Sequence, residues 1–135
     1  MWIKSTEGRR LLKILGIDDN ADINDLLNTV LTASGHEYSS VTSGREGVKL
    51  IQQNKYDLLL LDIAMPEFSG LDVIEALRKE KLMEKQRIVI VTASAVTEQE
   101  IEELLKNGVE KCIRKPLDID HLVEELEKIS TIREA

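Results

Sequence analysis

Leu58-Leu59-Leu60-Leu61-Asp62-Ile63-Ala64-Met65-Pro66 is the stretch that decides the fold. Four leucines in a row suit a buried helix as well as a buried strand, but Met65, Pro66 and Gly70 follow at once, so Tyr56 to Leu61 reads as a strand that gives way to a loop. The strand stops on an acid, Asp62. Three other short apolar runs stop on polar residues in the same manner. Leu11 to Ile17 ends at Asp18 and Asp19, Ile88 to Val91 ends at Thr92, and Val109 to Ile113 ends just before Lys115. If these runs are parallel strands, three carboxylates, one hydroxyl and one ammonium converge on one edge of a sheet.

Between the runs the apolar period changes from strand-like to helical. Ile23, Leu26, Leu27, Val30 and Leu31 recur at three- and four-residue spacing and predict one apolar helical face, with Gly35 as its stop. Tyr38 to Thr42 is a weak strand. Ser43 with Glu46 has the form of a capping box and opens a helix over about 44–54. Leu71, Ile74 and Leu77 mark a helix ending near Met83, and Arg87 to Val91 is a β-branched strand. Thr97 with Glu100 is a second capping box, opening a helix through Ile101, Leu104 and Leu105 that Gly108 closes. Pro116 breaks the last strand, and Leu122, Val123, Leu126 and Ile129 form the face of a final helix.

Strand and helix therefore alternate five times. Parallel strands need right-handed crossover connections, so this order predicts an α/β fold: a doubly wound, five-stranded parallel sheet with five helices on its two faces. In such sheets ligands sit beyond the carboxyl ends of the strands where the strand order reverses, which in the flavodoxin-like order 2-1-3-4-5 is between the first and third strands. Here those strands end in Asp18, Asp19 and Asp62.

Composition narrows the classes of function. A chain of 135 residues with 42% apolar content is one ordinary domain, read as a short N-terminal extension (1–10), the domain itself (11–130) and a tail (131–135). A net charge of −7 argues against nucleic acid or an anionic membrane surface as partner. No apolar stretch approaches the roughly 18 residues that cross a bilayer, and Met1 to Arg10 lacks the apolar centre of a signal peptide. The single cysteine, Cys112, excludes an internal disulfide and fits a reducing, cytoplasmic setting.

Three carboxylates brought together raise one another's pKa unless a cation joins them. At an effective dielectric of about 20, two unit charges about 4 Å apart interact by roughly 4 kcal/mol. Mg²⁺ takes oxygen ligands from one or two carboxylates, waters and phosphate oxygens, which suits Asp18, Asp19 and Asp62; zinc is disfavoured because Cys112, His36 and His121 are not spaced as a ligand set. One carboxylate can then act as a nucleophile toward phosphorus, with Lys115 neutralising a phosphoryl oxygen and Thr92 donating a hydrogen bond to another.

Four motifs in order, Ile14-Leu15-Gly16-Ile17-Asp18-Asp19, Asp62-Ile63-Ala64-Met65-Pro66-Glu67-Phe68-Ser69-Gly70, Val91-Thr92-Ala93 and Arg114-Lys115-Pro116, resemble the receiver domain of two-component response regulators over about 11–129. The resemblance implies that Asp62 accepts a phosphoryl group from a histidine kinase or histidine phosphotransfer protein. It also implies that Asp19 binds Mg²⁺ directly, Asp18 mainly through water and Ala64 through its carbonyl, and that Thr92 and Lys115 contact the phosphoryl group. The Lys115–Pro116 bond is implied to be cis, against the trans form that X-Pro statistics favour. Phosphorylation would then switch a protein-binding surface on the fourth helix, fifth strand and fifth helix.

Two positions depart from the family pattern. Cys112 stands where an aromatic switch residue is usual, so an aromatic relay is absent, and the residues that influence water attack are the small Ala64 and Ser94. Three rival classes share parts of this pattern. A pseudo-receiver, binding protein independently of phosphorylation, usually lacks one of the acids or the Lys. A haloacid-dehalogenase-type phosphatase needs a second Asp where Ala64 stands, and a flavodoxin needs a Ser/Thr/Gly phosphate loop where this chain has Asp18 to Asp22. The expectation is a stand-alone receiver, not an enzyme beyond its own phosphorylation and dephosphorylation, acting on a downstream protein target.

Overall fold

Ten elements alternate along the chain: β1 (Lys13–Ile17), α1 (Ala21–Ala33), β2 (Glu37–Val41), α2 (Gly44–Gln53), β3 (Leu58–Leu61), α3 (Gly70–Lys79), β4 (Ile88–Thr92), α4 (Glu98–Lys106), β5 (Lys111–Arg114) and α5 (Ile119–Ser130). The computed structural model describes residues 11–93 and 96–130, so the expected extension, the expected tail and Ser94 lie outside the described residues. The strands form one parallel sheet in the order β2-β1-β3-β4-β5. This is the predicted doubly wound order.

The leucine run behaves as a fully buried strand because side chains alternate across the sheet and both faces are covered. Leu59 and Leu61 pack with Leu15, Ile17, Ile88 and Ile90 under α2, α3 and α4, where Ile51, Val73, Leu77 and Leu104 close the layer. Leu58 and Leu60 point the other way, joining Ile14, Val89, Val91 and Ile113 under Leu27 and Leu31 of α1 and Leu122 and Leu126 of α5. At Gly16, mid-strand in β1, the phenol of Tyr38 fills the place of a side chain. An ideal Cβ there would stand 1.9 Å from the Tyr38 hydroxyl oxygen.

Several expected boundaries move by one to four residues, with identifiable causes. Leu11 is half exposed, and the β1 ladder begins two residues later, at Lys13. The third helix stops at Lys79 rather than near Met83. Lys81 takes a left-handed φ of 59°, and the Leu82 N–H returns to the Leu77 carbonyl at 2.8 Å, closing a Schellman motif without glycine. Gly35 and Gly108 close α1 and α4 with the same motif, at φ of 94° and 105°, as the sequence predicted. At α2 only half of the expected capping box forms. Ser43 accepts from the Glu46 N–H at 3.4 Å. A complete box that the sequence reading missed opens α3, where Ser69 and Asp72 exchange bonds of 3.2 and 2.9 Å. The predicted box at Thr97 and Glu100 is complete.

The expected apolar stripe of α1 also needs correction. Its buried line is Asn24, Leu27 and Leu31, while Leu26 is exposed. A buried asparagine in that register has a task at the site.

Candidate functional site

Each predicted site residue lies at the carboxyl edge of the sheet. Asp18 and Asp19 follow β1, Asp62 follows β3, Thr92 ends β4 and Lys115 follows β5. The ladder holds one step past the strands, with the Asp62 N–H on the Ile17 carbonyl at 2.9 Å and the Lys115 N–H on the Thr92 carbonyl at 2.7 Å. Fixed backbone therefore carries every functional side chain except those of the loop after Asp62.

The three carboxylates meet. One oxygen from each of Asp18, Asp19 and Asp62 lies within 4.8 Å of the others, Asp18 and Asp62 being buried and Asp19 exposed. Lys115 Nζ sits 2.8 Å from Asp18 Oδ2 and 3.7 Å from Asp62 Oδ2, so one ammonium serves two carboxylates. Asp62 Oδ1 accepts from the Ala64 N–H at 3.2 Å. Burial, and after it the negative charge of Asp18, hold the Asp62 carboxyl above the usual carboxylate range against the opposing pull of Lys115 and the Ala64 amide. The site is under-supplied with positive charge.

The fit to a hard cation rests on those carboxylate oxygens. The Thr92 hydroxyl is fully buried and has no hydrogen-bond partner among the described residues. A buried hydroxyl without a partner costs about 1–3 kcal/mol. Thr92 ends β4 at the same sheet edge as the acids. The structure thus brings together all five side chains that the sequence reading named. The Ala64 carbonyl lies in the loop beside them, and the Lys115–Pro116 bond is cis, as the resemblance implied.

Three supporting roles escaped the sequence reading. Asn24 donates from Nδ2 to the Asp18 carbonyl at 2.9 Å, while Asn20 caps α1 and gives its own N–H to Asp18 Oδ1 at 2.9 Å. These bonds fix the turn that presents Asp18 and Asp19. The available signal was a polar side chain in the i, i+3, i+7 register of an apolar stripe. Gly70 is the third. An ideal Cβ there would lie 2.4 Å from the Asp62 carbonyl oxygen and 2.7 Å from Ile63 Cα, so α3 begins directly against the backbone of the central aspartate.

The Asp62 environment has a measurable consequence in metal-free protein. A carboxyl whose folded pKa is raised binds more protons in the folded state than in the unfolded one, so its contribution to stability falls as pH rises. The decline begins near the ordinary value of 3.8 and is complete above the raised folded value. Thermal melts with a chelator are expected to show Asp62→Asn melting above wild type at neutral pH, with the difference shrinking toward acid. Equal melting temperatures at all pH values would contradict the strained cluster.

The doubly wound sheet thus carries a buried aspartate, two neighbouring acids, a hydroxyl and a lysine at its switch point. The chain belongs to the response regulator receiver domain family, which it matches over residues 14–127. It is 31% identical to the chemotaxis protein CheY of Thermotoga maritima over 119 residues, 87% of this chain and 97% of that one. It is 32% identical to the polar-differentiation response regulator DivK of Brucella ovis over 111 residues, 82% and 89% of the two chains. Among solved structures, the receiver domain of the Francisella response regulator 1452 superposes with a TM-score of 0.79 at 27% identity, covering 88% of this chain and 96% of that one. The response regulator TrrA of Thermotoga maritima, in complex with Mg²⁺ and BeF, superposes with a TM-score of 0.73 at 31% identity, covering 87% and 97%. The chain is a two-component receiver domain of the CheY and DivK type, a class that binds Mg²⁺ in an acidic pocket. No described helix is long and apolar enough to cross a membrane.

Proposed function

We propose that this receiver accepts a phosphoryl group on Asp62 and thereby changes the surface it offers to a downstream protein. The observation that carries the reading is the pairing of a buried Asp62, whose carboxyl is held above the usual range, with a buried Thr92 hydroxyl that has no partner among the described residues, on adjacent strand ends. The donor would be a phosphohistidine of a histidine kinase or phosphotransfer protein. An Asp62 carboxylate oxygen attacks phosphorus, the P–O bond forms as the P–N bond breaks, and the departing imidazole takes a proton from solvent.

Asp18, Asp19, Asp62 and the Ala64 carbonyl would hold Mg²⁺, which when bound supplies the positive charge that offsets the acids and the phosphoryl oxygens. Lys115 is already within 3.7 Å of Asp62 and neutralises one phosphoryl oxygen, while Thr92 donates its free O–H to another. That new bond draws on the β4–α4 connection. Arg114 at the end of β5 is tied to Glu98 at the start of α4 at 3.4 Å, so a shift at Thr92 reaches α4 and β5 together. Cys112 on β5 is half-buried against the core, and burial raises its thiol pKa; it carries no aromatic ring to swing, so we assign the coupling to these polar ties. We place the protein in the cytoplasm, between its phosphodonor and a protein target.

Incubation with acetyl phosphate and Mg²⁺ followed by intact mass measurement tests the reading. Wild type is expected to gain one hydroxylamine-labile phosphoryl group, and Asp62→Asn none. A wild type that gains nothing returns the chain to the pseudo-receiver reading.

A further inference from the structure

Between α3 and α4 runs a groove of about 330 Å³, separate from the acidic site. Its floor is apolar, made by Ile63, Ile74 and Leu104, and Leu71, 50% exposed, stands on its edge. Its walls carry Glu75, Glu100 and Glu103 against a single cation, Arg78. That cation is spent on Glu75, to which it is paired at 3.0 Å, and Glu100 is turned back to cap Thr97 without losing its charge. The walls therefore keep two net negative charges over an apolar floor. On the rest of α4, Glu98 is paired with Arg114 and Glu102 is balanced by Lys106, so the excess negative charge lies on the groove walls themselves.

Such a surface selects its occupant by charge. An extended acidic or neutral segment gains nothing from these walls, whereas a helix with apolar residues on one face and Lys or Arg flanking them satisfies both floor and walls. The lining of α4, from Glu100 to Asn107, spans about 10 Å at 1.5 Å per residue, enough for two turns and hence two or three anchors at i, i+4 and i+7. We infer that the α3–α4 groove is a docking site for a basic amphipathic helix of a partner protein. The groove is lined by none of Asp18, Asp19, Asp62, Thr92 and Lys115, so this inference does not rest on the phosphoacceptor reading.

The test uses the full chain, methyl-labelled, and two synthetic helical peptides of about 14 residues with identical leucine spacing. One carries Lys and the other Glu at every polar position. The Lys peptide is expected to shift the methyl signals of Ile63, Leu71, Ile74 and Leu104 and to bind at least about tenfold more tightly than the Glu peptide. Leu71→Asp is expected to weaken it about tenfold and Glu103→Lys about fivefold. Both positions are exposed, and an acid in the first turn of α3 suits the helix dipole, so folding should survive; unchanged melting curves check this. Shifts centred instead on Ile101 and Leu105, equal affinity for the two peptides, or no binding would each overturn the inference. So would contacts between Trp2 and Leu71 in the free protein, which would show the chain's own first residues in the groove.

Discussion

Asp19→Ala is expected to lower Mg²⁺ affinity by more than about tenfold, the equivalent of about 1.4 kcal/mol, in a calorimetric titration at fixed ionic strength. The reason lies in how the three acids are already engaged. Asp18 is committed to Lys115 at 2.8 Å and Asp62 shares the same ammonium at 3.7 Å. Asp19 is the exposed member and stands within 4.8 Å of both, open to an ion arriving from solvent. Removing it halves the net charge of the cluster, from −2 to −1 once Lys115 is counted. Coulomb attraction for a divalent ion falls in proportion. The backbone that presents Asp18 is held by Asn20 and Asn24 and does not depend on the Asp19 side chain, so the loss is electrostatic and direct. Unchanged affinity would remove this cluster as the metal site.

Gly70→Ala is expected to destabilise the fold by about 1–3 kcal/mol and to slow acceptance of the phosphoryl group far more than that figure alone would suggest. The added methyl would meet the Asp62 carbonyl oxygen at 2.4 Å and Ile63 Cα at 2.7 Å. Both are backbone, so no rotamer can relieve the contact, and either α3 or the Asp62 segment must shift. A shift of the segment moves the Asp62 carboxylate away from Lys115 and from the Ala64 N–H that orients it. Misplacing a reacting atom by about 1 Å can cost about a hundredfold in rate. Denaturant melts and acetyl phosphate kinetics read the two effects separately. Wild-type rate and stability together would show that Gly70 is not a packing constraint on the site.

The route from sequence to site was short wherever apolar period and chain order carried the information. Leu58 to Leu61 could be recognised as a strand because Pro66 and Gly70 cut it off, and strict alternation of strand and helix then fixed which ends share an edge. Asp18, Asp62, Thr92 and Lys115 followed from that edge alone. Asn24 was missed because a five-residue apolar stripe was assigned by type, whereas burial follows register and gave the place of Leu26 to an asparagine. Gly70 is legible in the sequence as a loop signal and as the end of the Asp62 motif, but its close contact with the Asp62 backbone is a tertiary fact with no local trace. The early end of α3 escaped for a related reason: a lysine at φ 59° does the work usually left to glycine.

Acidic groups cluster on many proteins; the reading proposed for this cluster is that Asp62 alone is phosphorylated, its carboxylate becoming an acyl phosphate. Borohydride reduces an acyl phosphate to the alcohol, so an aspartyl phosphate leaves homoserine at its own position. After treatment with acetyl phosphate and Mg²⁺, reduction and peptide sequencing by mass spectrometry should find homoserine at position 62 and aspartate unchanged at positions 18 and 19. Homoserine at Asp18 or Asp19, or at none of the three, would contradict the assignment of Asp62 as the phosphoryl acceptor.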